Sequence, residues 1–309
     1  MSRQEIAVPA GLARTLGEVY GEAGREWLGR FPALVAHCEL RWGLTIGPPL
    51  PQLSYNLVAP ARREDGTEVI LKLGVPNREL TSEAHALRLF DGRGAVQLVD
   101  ADPDLGVLLL ERLTPGTSLL DAVGDEEATS IAAGVMRQLW RPAPAEHPFR
   151  SVADWTSGLR KLRPRFGGTT GPLPAHLVER AEAVLAELLD SMAEPVVLHG
   201  DLHHANILAA QRQPWLAIDP KGLVGEPAYE VGPLLQNPLP QLLEAPDPPA
   251  IEARRVRQLA AELGFEPERI AAWGFAQAVL SAWWSIEDHG YGWEGAIACA
   301  EILAALKGR

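Results

Sequence analysis

The apolar run Val196–Val197–Leu198 leads straight into a polar octapeptide, His199–Gly200–Asp201–Leu202–His203–His204–Ala205–Asn206. A second apolar run, Trp215–Leu216–Ala217–Ile218, ends at Asp219 and Pro220. Runs this short and apolar read as buried strands, and so dense a polar set belongs to neither. The octapeptide is therefore a loop joining strand ends. Pro220 stops the second strand at Asp219, since proline has no N–H to give a ladder. Two strand ends bring Asp201, Asn206 and Asp219 to one edge, where two carboxylates and an amide oxygen suit a hard cation such as Mg²⁺. His203 and His204 are adjacent, so their side chains diverge, and with no third ligand they do not read as a transition-metal site. His199 reads as structural, its ring bonding backbone and holding the loop.

The rest of the pattern sorts into two parts. Residues 11–40 have helical periodicity, and Pro48, Pro49 and Pro51 then break the chain. Leu53–Pro60 and Glu68–Leu73 flank the turn signal Arg63–Glu64–Asp65–Gly66, which predicts a hairpin. A helix is predicted over Leu80–Phe90, with Thr81 or Ser82 near its start, and strands over Ala95–Asp100 and Gly106–Leu113. From Leu119 to Leu306 helical patterns dominate. The expected fold is α+β: a small N-terminal antiparallel sheet with one main helix (1–113), then a larger helical lobe (114–309). A bilobal layout puts the active site between the lobes.

Lys72 stands alone in the apolar strand Val69–Leu73. Either it lies on the solvent face, or in a cleft its ammonium holds phosphate oxygens. In the second case Glu83, on the following helix, pairs with it and fixes its position.

Taken together, these residues resemble the kinase catalytic set. The loop resembles the H-x-D-x-x-x-x-N catalytic loop, and Lys72, Glu83 and Asp219 match the strand lysine, helix glutamate and metal-binding aspartate of that fold. The spelling His199–Gly200–Asp201 with Asn206 is similar to the aminoglycoside phosphotransferase superfamily. Leu108–Leu113 and Trp215–Pro227 narrow the resemblance to its streptomycin 6-kinase and hydroxyurea phosphotransferase group. It departs from protein kinases in three ways. No G-x-G-x-x-G precedes Lys72, Pro220 follows Asp219, and no A-P-E segment follows.

The resemblance implies a protein-kinase-like bilobal fold and a role for each position. Asp201 orients the attacking hydroxyl and takes its proton. Asn206 and Asp219 hold Mg²⁺. Lys72 contacts the nucleotide phosphates and Glu83 orients it. Ser54 and nearby amides, in Leu53–Leu57, stand in for the glycine-rich loop. Glu111 and Leu113 meet the base edge through their backbone. The donor is ATP, with GTP left open.

The formal net charge of −12 disfavours nucleic acid as a partner and permits a cationic ligand. Acidic side chains expected to face such an acceptor are Glu226, Glu230, Glu287, Asp288 and Glu294, besides Asp201 itself. The stretch Ala276–Ala300 holds three acids, no Lys or Arg, and Trp283, Trp284, Tyr291 and Trp293. The expected activity is ATP- and Mg²⁺-dependent phosphorylation of an aminocyclitol antibiotic, streptomycin at the 6-hydroxyl first. The alternatives are a small-molecule kinase acting on hydroxyurea or another hydroxyl compound, and a non-catalytic binding module of kinase shape. Two distant cysteines and no apolar N-terminal run fit a cytoplasmic protein with neither disulfide framework nor membrane span. Monomer and dimer stay equally open.

Overall fold

In the computed structural model, which describes residues 6–51 and 53–306, the chain divides between Gly116 and Thr117 into two compact units. The first unit contains a five-stranded sheet of β1 (Leu44–Ile46), β2 (Leu57–Arg63), β3 (Glu68–Leu73), β4 (Leu98–Asp102) and β5 (Val107–Glu111). Every pairing is antiparallel, in the order β1-β2-β3-β5-β4. The β2–β3 hairpin turns at Arg63–Gly66, where Gly66 adopts a φ of 87° that side chains resist. Pleating sends alternate side chains of β3 to opposite faces. Val69, Leu71 and Leu73 join a core with Leu12, Leu16, Trp27, Phe31, Cys38 and Trp42 of α1 (Ala10–Trp42).

That helix, expected over residues 11–40, covers one face of the sheet. α1 is kinked at Gly21 (φ 57°, ψ −121°). Its two arms pass so closely that a Cβ on Gly24 would sit 2.2 Å from the Leu16 carbonyl oxygen. The second helix, α2 (Arg78–Phe90), starts earlier than Thr81 or Ser82. Its N-cap is Asn77, whose side chain accepts the Leu80 N–H at 2.9 Å, while the Thr81 hydroxyl donates back to the Asn77 carbonyl.

The second unit is mostly helical: α3 (Asp125–Leu139), α4 (Ala175–Asp190), α5 (Pro248–Leu263), α6 (Pro267–Asp288) and α7 (Glu294–Ala305), with shorter helical turns. α6 is its centre, packed against α4, α5 and α7 and burying Trp273, Phe275, Trp283 and Ile286. Small strand pairings, two of which frame the polar loop, interrupt the helices. β6 (Val196–Leu198) pairs with β9 (Leu223–Gly225), and β7 (Ile207–Ala210) pairs with β8 (Trp215–Ala217). The architecture is α+β, as expected. No helix among the described residues is long and apolar enough to cross a membrane.

Candidate active site

In the first unit, Lys72 is 3% exposed and sends its ammonium to both carboxylate oxygens of Glu83, each at 2.8 Å. The pleat that turns Leu71 and Leu73 toward α1 turns Lys72 toward α2. The solvent-face reading of this lysine is therefore excluded. Ser54 lies exposed in the bend before β2, in the segment joining β1 to β2.

Glu111 closes the β3–β5 ladder opposite Val69. Its N–H donates to the Gln97 carbonyl at 2.9 Å, and its carboxylate accepts the Gln97 N–H at 3.0 Å. The Glu111 N–H is thus spent within the sheet. Leu113, two residues past the ladder, is half-buried.

In the second unit, the polar octapeptide is the link between β6 and β7. Its start is pinned from below. The carboxylate of Glu230 is fully buried and accepts the His199 N–H at 2.7 Å and the Gly200 N–H at 2.8 Å. Burial pushes the Glu230 pKa up to about 7, against the pull of those two amides. His199 is also fully buried. Its Nδ1 accepts the Asp201 N–H at 3.2 Å, so its Nε2 carries the hydrogen and donates to the Ile218 carbonyl at 2.7 Å. Burial drives its pKa down to about 3, keeping the ring neutral. Gly200 has a φ of 85°, and a Cβ there would press on Leu223 at 2.9 Å.

The far end of the loop is fixed by the β7–β8 hairpin. Ile207 faces Ala217 in register, and the Ile218 N–H donates to the Asn206 carbonyl at 2.9 Å. Asp219 follows immediately, so it shares the hairpin end with Asn206. The Asn206 Nδ2 donates to the Asp201 carbonyl at 2.9 Å, which draws Asp201 to the same place. Asp219 itself holds a φ of 60°, in the left-handed region that few non-glycine residues adopt. Asp201, Asn206 and Asp219 are thus brought together as their spacing implied. The Asp201 side chain remains 39% exposed, with His203 Nε2 3.9 Å from its Oδ1.

These donors fit Mg²⁺. Asn206 uses its NH₂ within the loop and has Oδ1 as a neutral oxygen donor, and Asp219 has a carboxylate. No cluster of three or more His, Cys, Asp or Glu side chains among the described residues forms an all-protein metal cage. Mg²⁺ takes one or two protein oxygens together with substrate phosphates and water, so the set suits it.

The expected acceptor-facing acids divide. Glu226 is withdrawn from that set. It is 1% exposed, and its carboxylate takes a forked pair of bonds from Arg269 (2.7–3.0 Å), the Trp273 indole N–H and the Ala193 N–H. It ties α6 to the chain just past α4. Glu230 is withdrawn too, because both its oxygens serve the loop. Glu287 and Asp288 do lie at the surface end of α6, but Glu287 is paired with Lys161 at 2.9 Å. Trp284 packs against Trp155 with ring centroids 5.5 Å apart, and Arg150 stacks over Trp155. Lys161, from elsewhere in the chain, therefore supplies a cation to a segment that has none of its own. Trp283 is core.

The sequence reading assigned Glu230 to substrate and missed its hold on the loop. The signal was present in its neighbours, since Ala228, Tyr229 and Val231 are apolar and a carboxylate among them is a buried one.

A family model described as aminoglycoside/hydroxyurea antibiotic resistance kinase matches residues 41–289. A streptomycin 6-kinase of Streptomyces griseus is 35% identical over 93% of each chain. A hydroxyurea phosphotransferase of Kitasatospora aureofaciens is 36% identical over 98% of this chain and 87% of its own. Among solved structures, a thermostable mutant of aminoglycoside phosphotransferase APH(4)-Ia, in ternary complex with ADP and hygromycin B, superposes with a TM-score of 0.62. It is 14% identical and the match covers 89% of this chain and 99% of that one, a likeness of fold.

Proposed function

The chain belongs to the family of aminoglycoside/hydroxyurea antibiotic resistance kinases, and from that premise we propose that it transfers the γ-phosphoryl group of ATP to a hydroxyl of a cationic aminocyclitol, streptomycin at its 6-hydroxyl. One observation carries the reading. The loop from His199 to Asn206 is bonded at both ends and through its middle, yet it leaves the Asp201 side chain 39% exposed. A rigid loop presenting one carboxylate is what a positioned base requires.

In phosphoryl transfer the transition state is loose, so placement of the reactants counts for more than proton abstraction. Asp201 accepts a hydrogen bond from the acceptor hydroxyl and aims its oxygen at the γ-phosphorus. The new O–P bond forms as the bond to the departing ADP breaks, and the hydroxyl proton leaves through Asp201 to water. Lys72, fixed by Glu83, holds phosphate oxygens with its ammonium. Asn206 and Asp219 hold Mg²⁺, which when bound neutralises charge on the phosphates. Leu113, beyond the sheet ladder, offers its amide to a purine edge beside the Glu111 carbonyl. Ser54 and its neighbouring amides would cover the phosphates.

A second reading, hydroxyurea as the acceptor, draws on the 36% identical relative and on the acids. With Glu226 and Glu230 buried and Glu287 paired, fewer carboxylates face outward than a polycation would favour. A nucleotide-turnover assay with Mg²⁺ and ATP, run with streptomycin or hydroxyurea, separates the two. Turnover stimulated by streptomycin supports the first acceptor, and stimulation by hydroxyurea alone replaces it. Stimulation by neither, with ATP still bound, removes both acceptors.

A further inference from the structure

Behind the loop the second unit holds an ionic cluster, buried at Arg255 and Glu252 and half-buried at Asp125, that neither the family reading nor the proposed mechanism uses. Arg255, on α5, is 1% exposed. Its Nε reaches both oxygens of Asp125, at 3.1 and 3.2 Å, and its Nη2 donates to Asp125 Oδ1 as well. Its Nη1 is anchored to the carbonyls of Leu234, Leu235 and Asn237 and to Glu252. Arg254 donates to Asp125 Oδ2. A carboxylate has about four lone-pair sites, and the two arginines fill those of Asp125.

Against this saturated carboxylate lies His204, first residue of the turn that ends at Asn206. Its Nε2 is 3.9 Å from Asp125 Oδ1, beyond hydrogen-bond distance. His204 is 3% exposed, and neither ring nitrogen has a hydrogen-bond partner. A buried polar group left so is costly, and a bond to Asp125 would satisfy it. Making that bond would pull the turn by about 1 Å, a displacement of the size that disables active sites.

Resting on the assignment of Asn206 above, we infer that Arg255 is a positioning residue: by occupying Asp125 it stops that carboxylate from capturing the His204 N–H, and so holds the His204–Asn206 turn in place for metal and nucleotide. The anchoring of its Nη1 on three carbonyls keeps the guanidinium from following Asp125. The turn is thus located by a bond that is prevented, as well as by those that form.

The test is R255K, which keeps a cation beside Glu252 but lacks the fork and vacates lone pairs on Asp125. Two amides report on the turn directly, since the Asn206 N–H donates to His203 and the Ile218 N–H to Asn206. In metal-free, nucleotide-free protein, R255K should exchange these two hydrogens about tenfold faster than the parent. The half-saturating Mg²⁺ concentration for turnover should rise about tenfold, with the acceptor KM unchanged. H204L placed on R255K removes the donor and should return both values toward the parent. Parent-like exchange in R255K overturns the proposal, and so does a defect that H204L leaves in place. If R255K does not fold, R255Q, which likewise vacates Asp125 Oδ1, is read by the same two amides, and parent-like exchange there overturns the proposal as well. N206A run in parallel tests the site itself. An unchanged Mg²⁺ requirement there removes the Asn206 assignment, whereas a shifted N206A beside an unshifted R255K removes only the role of Arg255.

Discussion

Glu230 and His199 are bound carboxylate to backbone: Oε2 of the buried glutamate accepts the His199 N–H at 2.7 Å, while its other oxygen accepts the next amide along. The loop that carries Asp201 is therefore founded on a group that burial has pushed to a pKa of about 7, above its ordinary 4.5. For an acid raised in the folded state, the stabilising contribution is fully present below about pH 4.5 and is lost as pH rises through 7. E230Q removes that titration. The stability of the parent relative to E230Q should fall by roughly 3 kcal/mol from pH 5 to pH 8. Thermal unfolding of both proteins across that range checks it, and a pH-independent difference would count against the burial of this group.

Lys72 and Glu83 form a closed pair in the first unit. Removing one partner of a buried pair strands the other, at a cost of about 3–5 kcal/mol. E83Q keeps the shape and one oxygen, so it should fold yet lose at least tenfold in kcat/KM for ATP through a loosened lysine. The acceptor KM should not move. Steady-state kinetics varying each substrate in turn decides the matter.

For Glu226 the expectation runs the other way. Its bonds to Arg269, Trp273 and Ala193 hold helices together, so E226Q should lower Tm and leave the acceptor KM as it was. A KM change without a Tm change would restore it to the acceptor set.

How much of this was legible follows from what each residue's pattern encodes. Asp201, Asn206 and Asp219 could be singled out because two strand ends fix their spacing, whereas Lys72 and Glu83 are picked out by the resemblance to the kinase set. The helix cap could not be chosen, since Asn77, Thr81 and Ser82 are all good capping residues within five residues of each other. Glu230 was misassigned because a carboxylate's partners are decided by backbone 30 and 31 residues away. The pairing of Lys161 with Glu287 and of Arg255 with Asp125 is likewise long-range, and local charge patterning is silent about it. The N-terminal helix was read correctly as a helix, but its place over one sheet face appears only when Trp27 and Phe31 are seen among β2 and β3.

Asp219 keeps a left-handed backbone that L side chains resist by about 1–2 kcal/mol, a penalty glycine escapes. D219G should therefore be more stable than D219A by about 1 kcal/mol. Both should lack turnover, because neither has the carboxylate. Urea unfolding with activity measurements gives the comparison. Equal stabilities would argue that the backbone at this position is not held under strain.

The account stands most directly on Asp201. Parent protein and D201N, each shown to be folded, are incubated with Mg²⁺, ATP and streptomycin, and the drug is then weighed by mass spectrometry. The parent should add one phosphoryl group, and D201N should add it at least a hundredfold more slowly while still binding ATP. Equal rates from the two proteins would contradict the role given to Asp201 and to the loop built around it.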